Sequence, residues 1–144
     1  MKRALIALLL GCCLLYAPGV LAQPAVALFY GARAPLDELK AFDIVVVDAD
    51  HQYDPQRYRK PYSELYAYVA VGEAHPGRGY YRDIPSSARM AVNPHWDSLV
   101  IDLSHPQWPD FLAERIVAPL WERGYRGFFL DTLDSYRLAK EFDE

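Results

Sequence analysis

In the segment Gly127-Phe128-Phe129-Leu130-Asp131-Thr132-Leu133-Asp134, an apolar run ends directly in two carboxylates three residues apart. The pattern recurs upstream. Ile44 to Val47 lead into Asp48, Asp50 and His51, and the run from Tyr66 to Val71 leads into Gly72 and Glu73. Continuous apolar runs suit strands covered on both faces of a parallel sheet. The C-terminal ends of such strands share one rim, where catalytic and binding groups gather. Carboxylates brought to one rim by different strands suit glycoside hydrolysis, in which one donates a proton and the other acts as nucleophile or base. Asp131 and Glu73 are therefore the catalytic candidates. Tyr30, Asp48, His51, Asp134 and Tyr136 are the substrate-binding candidates.

Each of these residues also has a plainer role open to it. A strand-end acid can pair with Arg82 or Arg126 or cap a helix, and Asp134 fits the N-terminal turn of a following helix, where the dipole favours negative charge. Asp48, Asp50, His51 and His75 combine carboxylate with imidazole, a donor set that suits divalent ions, but their spacing matches no strict metal motif. Neither a phosphate-cradling glycine loop nor G-x-S-x-G is present. No cofactor and no metal are expected.

The elements that must carry these residues alternate along the chain. Strands are predicted over 25–30, 43–50, 66–74 and 125–131, with a short one over 99–103 set apart from the main sheet. Residues 35–42 read as a short helix, 54–65 as helix or loop broken by Pro61, and 75–94 as a long loop rich in Gly, Pro and polar residues. The clearest helix spans 105–123. Ser104 and Gln107 fit a capping box, Pro106 fits the first turn, and Trp108, Phe111, Leu112, Ile116 and Leu120 form one apolar face. Pro119 should kink the last turn and Gly124 should stop it. Strand and helix in alternation imply an α/β fold with a parallel sheet and right-handed crossovers. One domain is expected over 23–144.

Residues 1–22 read as a secretory signal: a basic start at Lys2-Arg3, an apolar run from Ala4, and small residues before cleavage after Ala22. The protein is then expected in the periplasm or outside the cell. Both cysteines, Cys12 and Cys13, lie in this segment, so cleavage excludes disulfides and a thiol nucleophile from the remainder. No stable membrane anchor is expected unless Cys12 is lipidated. The 144-residue chain carries a net charge of −4, and removal of Lys2 and Arg3 makes it more acidic. Such a chain is a poor nucleic-acid partner and suits a neutral or cationic ligand. Its aromatic content of 14% could supply sugar-stacking surfaces as well as core.

The segments FYGARAPLDELKAFDIVVVDADH, AYVAVGEA, IDLSHPQW and GYRGFFLDTLDSY resemble the N-terminal part of the family 114-like glycoside hydrolases, similar in particular to the hydrolase module of bacterial Pel-type hydrolase/deacetylase proteins. The resemblance spans 26–137. It implies a (β/α)8 barrel, an endo-α-1,4-polygalactosaminidase activity on a cationic amino-sugar exopolysaccharide, a catalytic role for Asp131, and a place for Glu73 in the cleft. A full barrel takes about 200 residues or more, so the chain is expected to hold about four β/α units, the second catalytic carboxylate lying beyond residue 144. The other readings are a non-catalytic carbohydrate-binding barrel and a metal-dependent deacetylase-like hydrolase.

Overall fold

The computed structural model describes residues 23–31, 33–50, 54–56, 58 and 63–138. The predicted signal, both cysteines and His51 lie outside them. Seven strands follow in order: β1 (Val26–Phe29), β2 (Ile44–Asp48), β3 (Glu64–Ala70), β4 (Glu73–Ala74), β5 (Arg89–Asn93), β6 (Ser98–Ile101) and β7 (Gly127–Asp131). A parallel four-stranded sheet has the order β1-β2-β3-β7, and a small antiparallel sheet has the order β4-β6-β5. The first crossover carries the single-turn helix α1 (Leu36–Leu39). The last carries the small sheet and α2, over residues 108–122.

The alternation of side chains across a parallel sheet fixes what each face does. Ala27, Val45 and Leu65 share one register position, and Val47, Ala67 and Phe128 another. These point to the core side, where Trp108, Ile116 and Leu120 of α2 and the following Tyr125 cover them. Val45, Val47 and Ala67 are fully buried, and each such valine contributes about 1.5–3 kcal/mol by leaving water. On the opposite face Val26, Leu28 and Tyr30 are about half exposed.

Three expectations are corrected. The predicted strand 66–74 breaks after Ala70: Val71 N–H still bonds the Asp131 carbonyl at 2.9 Å, but Gly72 N–H turns to the Thr132 side chain, bonding Oγ1 at 2.9 Å. The chain then leaves the sheet, and Glu73 pairs with Val100 as β4. The predicted loop 75–94 contains β5, whose sequence Arg-Met-Ala-Val-Asn has little alternation to betray it. The capping box does not form: Ser104 gives both its N–H and its hydroxyl to Asp102 Oδ1, at 2.9 and 2.6 Å. The helix starts at Trp108 with Pro109, not Pro106, in its first turn.

Pro119 lacks an N–H and crowds the carbonyl four residues back. Ahead of it the helix widens into a π-helical stretch, Leu112–Val117, before α-helical geometry resumes over Ala118–Glu122. Gly124 ends α2 at φ 106°, a region L-residues seldom enter. Gly124→Ala is expected to lower stability by about 1–2 kcal/mol, measured as a fall in the urea midpoint. An unchanged midpoint would show that the helix end relaxes to another conformation.

Candidate active site

The C-terminal ends of the parallel strands line a cleft of about 460 Å³. Tyr30 follows β1, Asp48 ends β2, Tyr68 and Ala70 close β3, and Asp131 ends β7; all line it. Its far wall is formed by Glu73, Ser98 and the turn bearing Trp96.

Asp131 is held on both oxygens. Tyr68 Oη donates to Oδ2 at 2.9 Å, and Thr132 N–H donates to Oδ1 at 2.8 Å. The second bond depends on an unusual backbone. Thr132 has φ 62°, a strained value for a β-branched residue. Its hydroxyl compensates by donating to the Asp131 carbonyl at 2.6 Å and accepting the Gly72 N–H. Gly72 is required at this crossing, because a Cβ there would stand 2.1 Å from the Thr132 carbonyl oxygen. Tyr68 is itself seated between two aromatic neighbours, Tyr30 edge-on at 4.9 Å and Phe129 stacked at 6.4 Å. The carboxylate therefore stands beside an aromatic row that reaches from β1 to β7.

Asp48 is occupied by a cation from its own chain. Arg78 makes a bidentate pair with it at 2.7 and 3.0 Å, and reaches Asp50 Oδ2 at 2.7 Å. Burial opposes the guanidinium charge, but hydrogen bonds to Asp48 and Asp50 outweigh it and raise the Arg78 pKa. The acidic rim is thus partly neutralised before any substrate arrives.

Glu73 is 7% exposed. Its carboxylate accepts from Ser135 Oγ at 2.5 Å, from Asn93 Nδ2 at 3.3 and 3.4 Å, and from Ser98 Oγ. All of these donors are neutral.

Burial raises the Tyr68 phenol, and the hydrogen bond to Asp131 and its charge act in the same direction. Tyr30 is raised by burial and then by the charge of Asp131. Tyr80, beside Arg78, is pushed up to about 12, chiefly by burial. In the unfolded chain these phenols ionise near about pH 10. The fold favours their protonated form, so this contribution to stability is intact below about pH 10. It is lost as the pH rises through the folded-state values, the Tyr80 value being about 12. Thermal midpoints should hold steady up to about pH 9 and fall above about pH 10, with a shallower fall for Tyr68→Phe. Equal slopes for the two proteins would exclude Tyr68 as a contributor.

Of the residues expected at the site, the cleft brings together Asp131, Glu73, Tyr30 and Asp48. Asp134 and Tyr136 are exposed on the turn after β7 and are not among the cleft-lining residues. Asp134 precedes the 3-10 turn Ser135–Arg137 without a side-chain capping bond. Sequence reasoning did not single out Arg78 or Asn93, and took Tyr68 and Trp96 only as members of the aromatic set open to sugar stacking. A lone arginine between two glycines and an Asn-Pro turn start were the available signals. Among the described residues no group of three His, Asp or Glu side chains is arranged to hold a metal ion.

Residues 15–143 match the model of glycoside-hydrolase family GH114. The chain is similar to the glycoside hydrolase domain of PelA from Pseudomonas aeruginosa, with 38% identity and a TM-score of 0.68 over 81% of this chain and 47% of that one. It shares its fold, at 16% identity and a TM-score of 0.57, with Ega3 of Aspergillus fumigatus, solved in complex with galactosamine; the match covers 81% of this chain and 49% of that one. The chain spans about half the length of these solved relatives. No curated protein matches it.

Proposed function

The chain belongs to glycoside-hydrolase family GH114, and from that premise we propose that it contributes the Asp131 side of a site that hydrolyses α-1,4-linked galactosamine-rich polysaccharide. One observation carries this reading. Asp131 ends its strand in an aromatic-walled cleft with both carboxylate oxygens oriented, one by Tyr68 and one by the Thr132 backbone. A carboxylate placed in this way can act as nucleophile or as base toward the sugar carbon while a second acid protonates the leaving oxygen. We assign that second acid to a position beyond residue 144, in the further β/α units that complete the barrel. The solved relatives, of which this chain covers 47% and 49%, support this assignment. The reading of residues 1–22 as a secretory signal places the reaction in the periplasm or outside the cell.

The test is release of new reducing ends from galactosamine polymer by the complete protein that carries residues 23–144, with a neutral galactan as control. Release from the amino-sugar polymer alone is the expected result. A protein that binds the polymer without cutting it would favour the carbohydrate-binding reading, and one that neither binds nor cuts would overturn the substrate class.

A further inference from the structure

Resting on the reading of the cleft as a sugar site, we propose that Glu73 is a positioning residue. Its carboxylate ties the β5–β6 turn to the rim behind Asp131, and so sets Trp96 as the platform on which an amino-sugar ring lies.

A carboxylate has about four acceptor positions, two on each oxygen. On Glu73 three donors engage both oxygens, Asn93 Nδ2 being shared between them. Oε1 accepts from Ser135 and Asn93, and Oε2 from Asn93 and Ser98. A proton donor to a glycosidic oxygen must present a free carboxyl edge to the substrate, whereas both oxygens of this residue are already bonded within the protein. These bonds converge on the carboxylate from two directions. Asn93 and Ser98 are paired at the mouth of the hairpin, as the last residue of β5 and the first of β6. Between them, residues 94–97 form the turn that carries Trp96. Asn93 spans both levels, because its Oδ1 accepts the His95 N–H at 3.0 Å while its Nδ2 reaches Glu73. The third partner, Ser135, lies four residues after Asp131. One buried carboxylate therefore fixes the turn relative to the strand end that bears the catalytic candidate.

Trp96 is the reason such a tether matters. It lines the cleft with Asp131 yet is 74% exposed, a large apolar surface left in water on the turn. An indole face offers contact area to the C–H face of a pyranose, and it attracts a cation better than any other ring. A protonated amino sugar carries both features.

Two measurements test this. In hydrogen exchange, Glu73→Ala should lose protection about tenfold in residues 93–98 and around Ser135, with β1 to β3 unchanged. Glu73→Gln, which keeps the shape and can bond the same hydroxyls, should restore most of it. Ser98→Ala gives a milder version if Glu73→Ala does not fold. Uniform loss, or none at the hairpin, overturns the tether. In binding to a galactosamine oligomer, Trp96→Ala should weaken affinity about tenfold. The double variant Trp96→Ala/Glu73→Ala should bind no more weakly than Trp96→Ala alone. Additive losses overturn the link between the two residues. A wild-type protein that does not bind the oligomer overturns the platform together with the proposed substrate, while the exchange result still decides the tether.

Discussion

Asp131→Asn in the complete protein should reduce polymer cleavage by about a thousandfold or more while the thermal midpoint moves little. Asparagine nearly matches the aspartate in size, and its hydrogen bonds can be rearranged in one way. The carbonyl oxygen must face the Thr132 N–H, which can only donate. The new amide then faces Tyr68, whose hydroxyl turns from donor to acceptor. The fold thus keeps its contacts, and what disappears is the negative oxygen that attacks or deprotonates. Near-normal turnover by a well-folded variant would remove Asp131 from the reaction.

Among the described glycines, Gly72→Ala should be the most damaging single methyl group. The added Cβ would lie 2.1 Å from the Thr132 carbonyl oxygen, a backbone atom that cannot swing aside as a side chain can. Relief requires Thr132 to move, and its amide orients Asp131 while its hydroxyl accepts the Gly72 N–H. Stability should fall by about 2–4 kcal/mol, read from the urea midpoint, and cleavage should fall with it. An alanine variant of unchanged stability would mean that the β3 and β7 ends separate freely, contrary to the bonds that join them.

The parts of this arrangement legible in the sequence were those written in consecutive residues. Phe128-Phe129-Leu130 before Asp131, and Val45-Val46-Val47 before Asp48, announce parallel strands and the acids at their tips, although only the valines are buried and Leu130 on β7 is half exposed. The crossover helix showed in its apolar spacing from Trp108 to Leu120. Partnership was not legible. Asp48 reads as an open acid until Arg78, 30 residues later, closes on it. Glu73 reads as an acid beside the Asp131 site until Asn93, Ser98 and Ser135 are seen to surround it. Residues such as Ser98 and Asn93 carry no periodic signal, because their polarity serves one buried contact and not a face of an element.

The bonds that hold Asp131 and its surroundings have a temporal consequence. Tyr68 and Asp131 are 63 residues apart in the chain, Gly72 and Thr132 are 60 apart, and Glu73 and Ser135 are 62 apart. Closing loops of that length is slow relative to the contacts of about 20 residues that join β1 to β2 and β2 to β3. The first three strands should therefore assemble early, with the free edge of β3 waiting for β7. That edge is open to pairing with another chain during synthesis. The geometry around Asp131 appears only with the final pairing, so no partly folded form of this segment can orient that carboxylate. Recovery of the Tyr68–Asp131 contact in a refolding experiment should coincide with the slowest phase.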